Sequence, residues 1–388
     1  MLAMNSADDP IYLDYNATTP LLPEVIDAML PYLHEHFGNP SSRHIYGRRT
    51  HDAIERARSD VAALINSHAD EIIFTSGGTE ANNLAIRGTN LGTSRRRIVT
   101  TAIEHPAVAR PVAWLERQGW DIVRVAVDAG GRAHVCELDT AITPATAIVT
   151  IMHSNNETGV FQPIQEAVRF ARRAGASVHT DAAQSVGKVP IDVRAMDVDM
   201  LSIAGHKLYG PKGVGALYLR RGTVLEALTL GAGHERGLRP GTENVASIVG
   251  LGAACAMAQH DLDEQGARVR ALRDRLWERL ARAIPQLALN GHADNRLPNT
   301  LNVRFPQISG EALLAATPQI AASTGSACHD GDESASAVLL AMGIPAKAAL
   351  GSIRLTLGRA TTGAEIDRAS TALASAWRAS ISDIHPAK

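Results

Sequence analysis

The sequence predicts an open, mostly parallel, seven-stranded α/β sheet joined to a smaller α+β domain. Three observations predict it. Short apolar runs alternate with amphipathic helical stretches from Ile72 to Leu219. Several of those runs are apolar on both faces. After Val245 the alternation weakens, beyond one long helical stretch. Strand–helix alternation on this scale builds parallel sheets with helices on both sides, and strands covered on both faces lose the one-in, one-out pattern.

The candidate strands, in order, are Ile72–Thr75, Ile98–Thr101, Ile122–Val127, Ala147–Ile151, Ser177–Thr180, Met200–Ile203 and Ala216–Leu219. Helical patterns occupy Thr50–Ile65, Glu80–Arg87, Ala107–Arg117 and Ile164–Arg173. A helical stretch from Ala246 to Ala283 leads to the strand pair Leu301–Phe305 and Ser352–Leu357. The chain has 388 residues, 45% of them hydrophobic. Single cores stop growing near about 250–300 residues, so two are expected. The expected division is an N-terminal segment, 1–20, associated with the small domain, a large α/β domain over 21–262, and a small α+β domain over 263–388.

Composition removes several function classes. Net charge is −2, without a basic block or acidic tail, which argues against nucleic acid and anionic membrane surfaces as partners. Apolar runs such as Ala145–Met152 are strand-length, and none is expected to approach the ~18–20 residues of a membrane span. The first ten residues are polar and acidic, unlike a signal peptide. Three cysteines, Cys136, Cys255 and Cys328, lie far apart, which fits a reducing, cytoplasmic setting without a disulfide framework.

Residues able to do chemistry follow the expected strands, where open parallel sheets bind ligands. Ile72–Thr75 runs into Ser76-Gly77-Gly78-Thr79-Glu80 and a helix. Glycines at a helix N-terminus expose N–H groups to an anion such as phosphate, although a plain turn with a Thr cap reads the same residues without a ligand. Ser177–Thr180 ends in Asp181-Ala182-Ala183-Gln184. A carboxylate at a buried strand tip needs a cationic or donor partner; a protonated pyridine nitrogen is one, a helix cap another. Ile98–Thr101 leads to Glu104-His105-Pro106, whose histidine could stack on a flat ring and move protons, or only pack. The strongest local signal is Gly205-His206-Lys207, which follows a buried strand and precedes a Gly/Pro loop. An amine buried there would lose charge and become a nucleophile for Schiff-base chemistry. Cys328 sits among small residues in Gly325-Ser326-Ala327-Cys328-His329, where His329 would favour a thiolate and Asp330 and Asp332 would oppose it. Cys136 and Cys255 lie in patterned segments and read as structural.

Taken together, these residues resemble the class V, fold-type I pyridoxal 5′-phosphate enzymes of the cysteine desulfurase and selenocysteine lyase group. Further motifs carry the resemblance in family order: Tyr12-Leu13-Asp14-Tyr15-Asn16-Ala17-Thr18-Thr19-Pro20, Gly38-Asn39-Pro40-Ser41-Ser42, Asn155-Asn156-Glu157-Thr158-Gly159, Glu235-Arg236-Gly237-Leu238-Arg239-Pro240-Gly241-Thr242 and Ser352-Ile353-Arg354-Leu355. The resemblance implies a homodimer with pyridoxal 5′-phosphate as cofactor and no metal. Lys207 would hold the cofactor and later move the Cα proton, and His105 would stack on the ring and act in acid–base steps. Asp181 would pair with the pyridine nitrogen, and Gln184 and Asn156 would bond near the ring oxygen. Gly78, Thr79 and His206 would hold the phosphate, with Thr242 reaching in from the other subunit. Arg354, with Asn16 and Asn156, would bind the substrate, and Cys328 would meet the leaving sulfur or selenium.

Two features divide the substrate readings. Many desulfurases carry a phosphate-binding Ser where this chain has Ala204; animal selenocysteine lyases are similar to it in having an apolar residue there and a His straight after the loop Cys. Pro106 pulls the other way, because those lyases have an Asp after the active-site His. The first reading is a lyase that splits L-selenocysteine into L-alanine and selenide. The alternative is a desulfurase that transfers sulfur from L-cysteine to Cys328, for delivery to an acceptor protein.

Overall fold

The computed structural model describes residues 9–89, 94–324 and 334–384. All seven expected strands form one sheet, in the spatial order Ile72–Thr75, Gly215–Leu219, Met200–Ala204, Ser177–Asp181, Thr146–Thr150, Arg97–Thr101 and Asp121–Val125. Gly215–Leu219 runs antiparallel to both neighbours, and the remaining pairings are parallel. The link from Ala204 to Gly215 is too short for a crossover helix, so the chain returns antiparallel.

Successive residues of a strand face opposite sides, and the packing shows why alternation was weak. Ile72, Val99, Val149, Leu201 and Ala216 join one apolar cluster, with Ile54, Val61, Leu251 and Cys255 from the covering helices. Their chain neighbours Ile73, Ile98, Ile148, Met200 and Leu217 join a second cluster across the sheet, with Leu84, Val112 and Leu115. Both faces are thus dry, which selects apolar residues at every position.

The helix Val245–Ala283 breaks at Asp261, where φ −128 and ψ 18 leave helical geometry. Before the break it packs on the helices Pro23–His34 and Ile45–Leu64. Gly252 allows the approach: a Cβ there would stand 2.6 Å from the Ala57 Cα. This segment corrects one expectation. Over 18 residues its mean hydropathy reaches 1.2, so by length and composition it does match a membrane span. The apolar stretch serves packing, with Leu251, Ala254, Cys255 and Ala258 buried in the core of the large sheet's helical layer.

Past Asp261 the same helix sends Val269, Leu276 and Leu280 into another core, built on Leu301, Val303, Ile353, Leu355 and Trp377. Its sheet is antiparallel, in the order Ser352–Thr356, Thr300–Arg304 and Ala288–Leu289. Ile11 and Leu13 belong to this core, and Ile11–Tyr12 pairs in parallel with Ile320–Ala321. The C-terminal helix Gly363–Ile384, not among the expected elements, covers it with Ile366, Ala369 and Leu373. Cys136 is exposed, so its structural reading fails, whereas Cys255 is buried and its thiol pushed up by burial.

Candidate active site

The strands of the large sheet stop along one line, and a cavity of about 440 Å³ opens beyond it. Asn16, Gly78, Thr79, His105, Asn156, Asp181, Gln184, His206, Lys207 and Arg354 all line it. Those residues span the chain from the N-terminal segment to the strand Ser352–Thr356, so the cleft lies where the two cores meet.

At one end the strand Ile72–Thr75 turns into the helix Gly78–Gly88. Gly77 caps it at φ 149 and ψ −179, a conformation essentially restricted to glycine. The first N–H groups of a helix lack intrahelical partners and carry partial positive charge. A Cβ on Gly78 would stand 3.2 Å from the Cβ of Ala204, so small residues keep this corner open. His206 stands beside it with Nδ1 3.2 Å from the Thr18 hydroxyl. Burial and then the Lys207 charge push its imidazole down to about 4, so it is neutral.

Further along, the buried carboxylate of Asp181 accepts from Asn82 Nδ2 at 2.7 Å and from the Ala183 N–H at 3.0 Å. Glu104 lies beneath, accepting from the Thr101 hydroxyl at 2.6 Å and the Met152 N–H at 3.1 Å. Burial pushes this carboxyl up to about 8 against those hydrogen bonds, and the Asp181 charge adds to the rise. His105 caps the helix Pro106–Arg117, its Nδ1 accepting from the Ala107 N–H at 3.1 Å. That bond leaves the proton on Nε2 of the neutral ring. Burial lowers the proton affinity of the ring, Asp181 opposes, and Lys207 lowers it further.

Lys207 follows the strand Met200–Ala204 in a short helical turn. Its Nζ donates to the Asn16 carbonyl at 2.5 Å and the Ala17 carbonyl at 2.7 Å. Burial first, then Arg354, pushes it down to about 8, with Asp14 and Asp181 opposing. Arg354 pairs with Asp14 at 2.7 Å and donates to the Asn156 carbonyl at 3.1 Å, while its buried Nε has no partner among the described residues.

Two sequence-derived candidates stand apart. Thr242 is exposed and does not line this chain's cleft, and Cys328 lies outside the described residues. Three functional neighbours were missed. Asp14 holds Arg354, Asn82 holds Asp181, and Lys188 holds Gln184 and Asn16. Asn82 carried a signal, since it lies one helical turn beyond Gly78 and is a buried polar residue on an apolar face.

A phosphorylated pyridine aldehyde fits these donors. The glycine-floored helix terminus suits its phosphate, Asp181 suits a protonated ring nitrogen, and the Lys207 amine suits the aldehyde. Residues 11–369 match the family model described as aminotransferase class-V. The chain belongs to this family. Relatives of this class-V enzyme include the cysteine desulfurase of Gluconacetobacter diazotrophicus, 48% identical over 92% of this chain and 91% of the relative. The cysteine desulfurase IscS of Anaeromyxobacter dehalogenans is 46% identical over 93% and 90%. Among solved structures, a NifS-like protein aligns with TM-score 0.88 at 34% identity, covering 94% of this chain and 98% of its own. SspA in complex with cysteine aligns with TM-score 0.80 at 36% identity, covering 89% and 98%. The class-V chain is an enzyme whose cofactor is pyridoxal 5′-phosphate.

Proposed function

We propose that this enzyme breaks the carbon–sulfur bond of L-cysteine, releases L-alanine and keeps the sulfur on Cys328 as a persulfide. The observation that carries the reading is one cavity holding the Lys207 amine together with Arg354, whose Nε has no partner among the described residues. An amino acid needs both, a base for its Cα proton and a cation for its carboxylate. Of the two readings of the sequence, the desulfurase is favoured by relatives named for that activity, and those names give no support to the selenocysteine lyase. Ala204, buried in the cleft wall, remains the feature that speaks for selenium.

Arg354 holds the substrate carboxylate, exchanging part of its bond to Asp14. Pyridoxal 5′-phosphate, when bound, supplies a sink for the electron pair left at Cα. Lys207 takes the Cα proton. The Cys328 thiolate attacks the substrate sulfur, so the S–S bond forms as the Cβ–S bond breaks and its pair stays with Cβ. One proton then completes the alanine methyl and Lys207 returns a second to Cα, and His105 Nε2 stands at the cleft to pass protons. One cysteine and one thiol thus become one alanine and one persulfide, which an acceptor protein in the cytoplasm removes. Alanine release from cysteine and selenocysteine, measured side by side, tests the choice. Comparable rates are expected; turnover of selenocysteine alone would return the assignment to a lyase.

A symmetric dimer completes the proposal. The segment before Thr242 is anchored, with Glu235 gripped by Arg58 at 2.7 and 2.8 Å although its φ is 46. Nearby, Ser41 lies 3.2 Å from His234, and Phe37 stacks on Tyr46, both rings exposed. Each large apolar side chain buried by a partner contributes roughly 1.5–3 kcal/mol. Thr242 on the same face would reach the partner's phosphate corner. Mixing Lys207→Ala with Thr242→Val protomers should restore about a quarter of wild-type activity, because half the hybrid sites are intact. No recovery, or a fully active monomer in sedimentation, would exclude the shared site.

A further inference from the structure

Lys188 lies behind the cleft, on the turn that follows the strand Ser177–Asp181. Its Nζ donates to Gln184 Oε1 at 2.9 Å and to Asn16 Oδ1 at 2.9 Å. Among the described residues no carboxylate makes an ion pair with it. Half-buried as a residue, it has its amine end enclosed in protein. That enclosure, then the Lys207 charge and Arg354, pushes its proton affinity well below the usual lysine range. Such placement is costly, and two neutral amide oxygens are a weak reason for it unless their orientation matters.

Orientation is what the bonds determine. An amide offers an acceptor at one end and donors at the other. With Lys188 on Gln184 Oε1, the Nε2 end must turn to the Asn16 carbonyl, which it meets at 3.0 Å. That same carbonyl accepts from the Lys207 Nζ. With Lys188 and Asn299 both on Asn16 Oδ1, the Nδ2 end must turn to the Thr300 hydroxyl at 2.9 Å and the Asn156 carbonyl at 3.3 Å. Asn156 in turn receives Arg354. One amine therefore sets the direction of the Gln184 amide and, jointly with Asn299, that of Asn16, and through them touches the base and the carboxylate clamp.

We propose that Lys188 is a positioning residue: it fixes the Gln184 and Asn16 side chains so that one Gln184 N–H holds the Asn16 backbone carbonyl that Lys207 meets and the other faces the bound cofactor. The inference rests on the cofactor assignment. It predicts that Lys188 acts through Gln184, which a general packing role would not require.

The test uses the full-length protein, with the pyridoxal 5′-phosphate dissociation constant from equilibrium dialysis and the visible circular dichroism of the bound cofactor as readouts. Lys188→Met should weaken binding about tenfold, the worth of one or two buried hydrogen bonds, and reduce the dichroism. Lys188→Arg, which keeps donors, should recover most of both. Gln184→Ala should weaken binding comparably, and the double variant should be no weaker than either single one, since contacting residues in one network are not additive. Unchanged affinity and dichroism in Lys188→Met, or a double variant losing the product of the two single losses, would overturn the proposal. Should Lys188→Met fail to fold, Lys188→Gln takes its place, with the same weakening expected and unchanged affinity again overturning the proposal. A wild-type protein that binds no cofactor would instead remove the assignment on which all of this stands.

Discussion

Lys207→Ala is expected to abolish turnover, lowering it by about 10⁴-fold or more, because it removes both the covalent tether and the base for the Cα proton. Among the described residues, no second lysine lines the cleft; Lys188 lies behind it, its Nζ held by Gln184 and Asn16. Borohydride treatment of the wild-type protein should fix the cofactor on Lys207, as peptide mass mapping will read. A label on Lys188 or Lys212 would overturn the assignment. The same residue sets a pH dependence. Only the neutral amine attacks an aldehyde, and burial holds Lys207 at about 8. Cofactor capture by apoprotein should therefore speed up as pH rises and level off above about 8, whereas an ordinary lysine would keep gaining to about 10.4. A rate still climbing steeply past pH 9 would show that the amine is solvated.

Cys328→Ala is expected to cut alanine release from cysteine by about 10²–10³-fold or more while the protein stays yellow. The reason is bond chemistry. A thiolate leaves Cβ poorly, so the sulfur must be taken by a nucleophile as the bond breaks. Neither Cys136, exposed on the helix Val135–Ala141, nor Cys255, sealed in the core, can substitute. Mass spectrometry of wild-type protein after cysteine turnover should find one extra sulfur on Cys328. Selenocysteine should be less affected by the substitution, since a selenol ionises more readily than a thiol of pKa about 8.5 and its selenide leaves unaided. Full activity of the variant on cysteine, without a trapped persulfide, would defeat the desulfurase reading.

The sequence by itself determined the strands and the places where chemistry starts. Ile72–Thr75 was legible to the residue, and the other six strands of the large sheet shifted by no more than two residues at either end. Burial on both faces writes itself into consecutive apolar residues, and polar residues at the end of such a run or within four residues beyond it face the cleft. Asp181, His105 and Lys207 were visible for that reason. The pairing partners were not. Asp14 meets Arg354, Asn16 meets Lys188, and Asn82 meets Asp181 across separations that no local pattern encodes. No local pattern singles out Lys188, and Asp14 is one letter of a motif. Only the tertiary structure, by bringing the second core with Asn299, Thr300 and Arg354 against the strand ends, decided which polar groups share the cleft. Local periodicity records whether a side chain is dry, whereas the identity of its partner depends on how distant segments close, and that is settled by packing.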